Sequence, residues 1–249
     1  MRTLRGLRVA SSHRRGSSRP IVVETAEGPF LTKLRGAAQG TAPLVAEIVV
    51  AHLADALGLN VPRRALLVLD HDLECADRES ELTRLLSASR GVNLGFRLLE
   101  DARAIRSDDV ERASDALACA VLWLDALVMN RDRTPRNPNM LVSARRVWLV
   151  DHGAALPFQY DWRRVTEDSP RAGYPLAGHL FGSRAERLRE WDARLASRLS
   201  RAVVEAAVAE VPDSFLEPLL SRGVSLERRR RAYQAFLWKR LKPPRPFLP

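Results

Sequence analysis

The chain has 249 residues, 46% of them hydrophobic, with a formal net charge of +10 and a pI near 10.7. That length suits one large domain or two small lobes around one cleft, with a core that needs no staples. The two cysteines, Cys75 and Cys119, are far apart and lack metal-ligand spacing, which excludes a disulfide framework or zinc finger and predicts reduced thiols in a cytoplasmic protein.

No apolar segment of signal-peptide type follows the basic N-terminus. The most apolar helix candidate, residues 116–129, is interrupted by Asp125 and is too short to span a bilayer. The positive charge favours anionic partners: nucleotides, nucleic acid or anionic lipid. Only three of the 40 basic residues are lysines, Lys33, Lys239 and Lys242. With the many alanines, this points to codon bias toward GC-rich DNA, so the charge says less about function than its size suggests. The same bias singles out Lys33, the one lysine before residue 239. A compact ammonium touching phosphates inside a narrow cleft is one reason for arginine to be excluded there. A chance survivor on a strand's solvent face is the alternative.

In chain order, residues 7–10 form a weak strand, 21–24 a β-branched strand and 30–34 a third. The Ser/Gly/Arg-rich loop between the first two contains Gly16, Ser17 and Ser18, whose backbone N–H groups can lie over phosphates. It is not a Walker A sequence and lacks G-x-G-x-x-G. Thr41 and Pro43 open a helix that Gly58 ends. Leu44, Val45, Ile48, Val49 and Leu53 mark its apolar face. Glu47, in its first turns, reads equally as the partner of Lys33 or as a solvated helix carboxylate. Residues 66–70 form another strand, 72–84 are polar with some helix, and 93–100 are extended, leading to a hinge at Asp101. A buried helix starts at Ser107 and delivers the chain to Asn130 and Asp132.

The most informative stretch follows: N-R-D-R-T-P-R-N-P-N-M-L-V-S-A-R-R-V-W-L-V-D-H-G, residues 130–153. Two apolar runs, 139–143 and 147–150, joined by a turn at 144–146, predict an antiparallel hairpin. A hairpin sets Asn137 and Asp151 at one end, with Asp132 just upstream. A carboxylate, an amide and a second carboxylate at one point can hold a divalent metal. They also match what phosphoryl transfer needs: an orienting Asp, a metal-binding Asn and a metal-binding Asp before Gly. Beyond Gly153 come aromatic loops, then helices over 185–194, 196–210 and 225–241. Arg228 to Arg231 read as a solvated face of the last helix.

The chain resembles the HipA-like kinase domain family, within the kinase-like fold that also holds phosphatidylinositol 3/4-kinases. The residues that carry the likeness are P-F-L-T-K-L-R-G-A-A-Q-G with Glu47, L-G-L-N-V-P, N-R-D-R-T-P-R-N-P-N-M-L-V and V-W-L-V-D-H-G-A-A-L, within residues 20–160. The resemblance implies an α+β, bilobal protein-kinase-like fold: a small, mainly β N-lobe with one helix over 1–100 and a larger helical C-lobe over 101–249. It implies an ATP-dependent phosphotransferase with Mg²⁺, acting on a hydroxyl acceptor such as a protein Ser/Thr, a small alcohol or an inositol lipid. By position, Lys33 is the phosphate-contacting lysine, Asp132 the catalytic Asp, and Asn137 and Asp151 the metal ligands. Asn139 rivals Asn137: the family's five-residue spacing favours Asn137, whereas hairpin pairing sets Asn139 closer to Asp151. Departures are Arg133-Thr134 after Asp132, Asp-His-Gly in place of Asp-Phe-Gly, and a shorter chain than HipA-type toxins. A nucleotide-binding pseudokinase or autophosphorylating regulator remains an alternative. A basic nucleic-acid-binding regulator is another, although no helix-turn-helix, zinc-ligand spacing or aromatic RNA-binding pattern supports it.

Overall fold

The computed structural model describes residues 1–12, 19–77 and 79–249. Seven strands build a mixed sheet: β1 (Arg2–Arg5), β2 (Arg8–Ser12), β3 (Ile21–Thr25), β4 (Gly28–Lys33), β5 (Arg64–Leu69), β6 (Glu74–Cys75) and β7 (Gly91–Arg97). Their order is β1-β5-β7-β4-β3-β2-β6. The three expected N-terminal strands are β2, β3 and β4, an antiparallel meander. Gly28, with φ at 90°, closes its second turn, where Thr25 Oγ1 donates to the Gly28 carbonyl at 2.8 Å. β4 lies inside the sheet between β3 and β7, with Lys33 in register with Leu94. β1 and β6 are not legible in the sequence. One is a largely exposed edge strand parallel to β5, the other two residues long.

Helix α1 (Ala42–Leu57) follows β4, and Gly58 ends it in the left-handed conformation, as expected. The cap at its other end differs. The Thr41 hydroxyl makes no capping bond and instead donates to the Phe215 carbonyl at 2.7 Å. Helix α1 is buried on nearly all sides because it packs on α4 (Asp115–Val128), α6 (Arg201–Ala209) and α7 (Asp213–Leu216). A second helix, α2 (Ser80–Ala88), lies in the polar stretch before β7 and inserts Leu82 beneath the sheet.

The single helix expected from Ser107 is two: α3 (Ser107–Glu111) and α4. Ser114 breaks it by adopting extended backbone and accepting the Leu117 N–H at 3.2 Å, a true N-cap. The hairpin is present as β9 (Met140–Ser143) and β10 (Arg146–Leu149), flanked by β8 (Arg103–Ala104). Its turn is two residues, not three. Ala144 and Arg145 both have positive φ, 49° and 60°, as a type I′ turn requires.

After residue 153 the chain runs through short 3₁₀ turns to α5 (Leu188–Ala196), α6, α7 and α8 (Leu226–Leu241). The arginine run in α8 is a solvated face only in part: Arg228 and Arg231 are exposed as expected, whereas Arg229 and Arg230 are not. Arg229 is buried over the Trp162 ring at 4.3 Å, and Arg230 donates to the Val208 and Val211 carbonyls at 2.7 Å each. One hydrophobic cluster joins α1 to the C-terminal helices; a smaller one fills the space between sheet and α2. Among the described residues, no helix is long and apolar enough to cross a membrane.

Candidate active site

β4, α1 and the hairpin converge on one cleft of about 350 Å³, lined by Lys33, Gly40, Pro43, Asp132, Asp151 and Tyr160 among others. Lys33 is the last residue of β4 and is buried. Its ammonium donates to Glu47 Oε1 and to Asp151 Oδ1, the latter at 2.7 Å. Glu47 is therefore no solvated carboxylate: it is fully buried, and its Oε1 also accepts the His152 backbone N–H at 2.9 Å. Burial by itself would lower the Lys33 pKa, but the two carboxylates outweigh it and hold it above the usual lysine value. Burial pushes the Glu47 carboxyl up against the pull of Lys33. At half-exposed Asp151 burial pushes the same way, yet Lys33 prevails and keeps its pKa low.

The hairpin brings Asp132 and Asp151 to this cleft together. Of the two amides, Asn139 is the one beside Asp132. Asn139 Nδ2 donates to Asp132 Oδ2 at 3.1 Å, and its carbonyl accepts the Val150 N–H at 3.1 Å, one step past the last strand pair. Asn137 is exposed and closes a small turn through two backbone bonds with Thr134 at 3.0 and 3.1 Å. Asn139 and Asp151 have φ of 46° and 56°, left-handed conformations uncommon outside glycine. Gly153 fits tightly beside them: a Cβ there would approach Pro43 Cβ at 3.1 Å. Gly16, Ser17 and Ser18 lie outside the described residues.

Beneath the cleft sits a buried polar cluster that motif reading missed. Asp125, fully buried in α4, accepts from Arg133 Nε at 2.6 Å, Asn130 Nδ2 at 2.9 Å and His179 Nε2 at 2.9 Å. Burial would raise its pKa, but Arg133 and His179 hold it well below the carboxylate range. His152 is pushed down to about 3, first by burial and then by Arg133. The sequence did hold one signal: a lone carboxylate in the most apolar helix demands a partner.

Residues 7–215 match the model of the HipA-like kinase family. The chain belongs to the HipA-like kinase family. The solved structure of a Helicobacter pylori proinflammatory kinase, CtkA, shares its fold, with a TM-score of 0.55, 12% identity and coverage of 89% of each chain. A search of curated protein sequences gives no match. The expected resemblance is thus borne out, and a kinase-type phosphotransferase is supported. Kinases in general use ATP and a divalent metal. No group of three or more His, Cys, Asp or Glu able to hold a metal occurs among this HipA-like kinase's described residues. The chemistry of Asp151 in the cleft and of Asn139 beside Asp132 still fits Mg²⁺. That ion keeps waters and takes one or two protein ligands plus phosphate oxygens rather than an all-protein cage. Asp151 has a half-exposed carboxylate, and Asn139, donating through Nδ2, keeps its amide oxygen as an acceptor.

Proposed function

We propose that the chain is an ATP-dependent kinase that phosphorylates a hydroxyl acceptor from the cleft between a sheet-bearing lobe, residues 1–100, and a helical lobe, residues 101–249. The observation that carries this is the Lys33 ammonium, bound to buried Glu47 and to Asp151 at 2.7 Å, in a cleft that Asp132 also lines. Bound Mg²⁺·ATP would supply the phosphoryl group and offset the charge that builds during transfer. Asp151 holds the metal together with one amide. Asn139 is the better candidate because of its bond to Asp132, whereas Asn137 rests on spacing. Lys33 steadies the phosphates, and Glu47 fixes Lys33 from behind. Asp132, accepting from Asn139, keeps Oδ1 for the acceptor hydroxyl and takes its proton.

The test is incubation with γ-labelled ATP and Mg²⁺, with protein, small-alcohol and inositol-lipid acceptors, followed by mass spectrometry for the labelled species. Asp132→Asn should lower transfer by at least about a hundredfold and leave Mg²⁺·ATP binding intact by calorimetry. Equal turnover in the variant removes Asp132 from the mechanism.

A further inference from the structure

Arg133 is fully buried, and its guanidinium meets groups on both sides of the hairpin that carries the proposed site. Nε donates to Asp125 Oδ2 at 2.6 Å. Nη1 donates to the carbonyls of Asn139 and, at 3.3 Å, Pro138. Nη2 meets His152 Nδ1 at 3.3 Å. Its own carbonyl accepts the Leu180 N–H at 2.9 Å. One planar group thus ties the residue after Asp132, the backbone of Asn139 and the residue after Asp151 to the rigid helix α4. Lysine cannot reproduce this, because a single ammonium lacks the fixed fork of donors.

The two histidines follow from the same geometry. An arginine only donates, so His152 Nδ1 must carry the lone pair and Nε2 the hydrogen. His179 Nδ1 accepts the Phe181 N–H at 3.0 Å, so its Nε2 donates to Asp125. Asp125 is then satisfied on both oxygens and cannot rotate to release Arg133.

We propose that Arg133, oriented by Asp125, is the positioning residue that sets Asp132 and Asn139 against Asp151 for phosphoryl transfer, through the fork from α4 to the Asn139 carbonyl and the His152 ring. The proposal rests on the kinase reading above. It concerns how the acting groups are held apart, not which group reacts. Misplacing a reacting group by about 1 Å can lower a rate about 100-fold.

The test compares Arg133→Lys with Arg240→Lys. Arg240 is an equally buried arginine in α8 that donates to the carbonyls of Leu127, Ala126, Pro170 and Ala172, none of which lines the cleft. Three quantities are measured on the full chain: Tm, kcat with Mg²⁺·ATP, and the ¹⁵N shifts of the His152 ring, assigned with His152→Gln. Arg240→Lys should lower Tm and keep kcat. Arg133→Lys should lose about 10- to 100-fold in kcat at a comparable Tm, as loss of an orienting partner does, and its His152 ring should leave the single Nε2–H tautomer. Asp125→Asn, which keeps the side-chain shape, should change kcat and ring in the same direction. A kcat loss in Arg133→Lys no greater than in Arg240→Lys overturns the proposal. So does a His152 tautomer that ignores the substitution, or a wild-type spectrum with hydrogen on Nδ1, which needs no variant to fold. A wild-type chain that binds no Mg²⁺·ATP sinks the kinase reading instead, and the spectra still decide whether Arg133 sets His152.

Discussion

Lys33→Met isolates the electrostatics of the cleft. The substitution keeps a long side chain but removes the one cation between a fully buried carboxylate, Glu47, and half-exposed Asp151. Asp151 can turn to water. Glu47 cannot, and its second oxygen, Oε2, is already buried with no hydrogen-bond partner among the described residues. The inexpensive response is for Glu47 to take up a proton, since burial already pushes its pKa upward against Lys33. The folded variant then carries neutral Glu47, while the unfolded chain ionises it near the ordinary pKa of about 4.3–4.5. A group whose folded pKa is raised loses its stability contribution as pH rises above the unfolded value. Each pH unit costs about 1.4 kcal/mol, so the linkage loss is about 1 kcal/mol at pH 5 and about 3.4 kcal/mol at pH 7. The wild type shares part of this loss to the extent that its own Glu47 pKa is raised, so the difference between wild type and variant should widen by up to about 2.5 kcal/mol between these two pH values. Urea unfolding of both proteins at pH 5 and pH 7 measures it. A gap that is the same at both pH values would refute the reasoning, because it would mean Glu47 stays ionised or reaches water without Lys33.

Three further outcomes are expected. Asn139→Ala should weaken Mg²⁺·ATP binding far more than metal-free ATP binding, whereas Asn137→Ala should leave both within about twofold, as for an exposed surface substitution; calorimetry with and without Mg²⁺ separates them, and the reverse result restores Asn137 as ligand. Lys33→Arg should impair transfer although charge is kept, because a planar fork does not fit where a compact ammonium bridges two carboxylates; labelled-ATP turnover at the wild-type level would show the site permissive. His152 takes a proton only near pH 3 when folded but near 6.5 when unfolded, so stability should fall as pH drops below 6.5, by about 2 kcal/mol from pH 7 to 5; denaturation of His152→Gln should lack that loss.

The sequence by itself determined the parts whose physics is local. Two short apolar runs, residues 139–143 and 147–150, joined by a turn marked the hairpin, because such runs bounded by turn residues suit paired strands. Gly58 marked the end of α1, because a left-handed cap suits glycine. A lone lysine among arginines marked Lys33, and the spacing of carboxylates and amides marked Asp132 and Asp151. Tertiary structure decided the rest. Whether Glu47 meets solvent or Lys33 depends on α1 being packed into the core against α4, α6 and α7, and no helical period states that. Asn139 sits beside Asp132 because a pair of bonds with Asp132 and Val150 fixes it, while Asn137 closes a turn of its own. Arg229, read as solvated, is buried because Trp162, far away in sequence, covers it. The Asp125–Arg133–His152–His179 cluster joins residues up to 54 positions apart. A buried charge must find its partner wherever the fold brings one, so the sequence shows that Asp125 needs a partner but only the packed chain shows which.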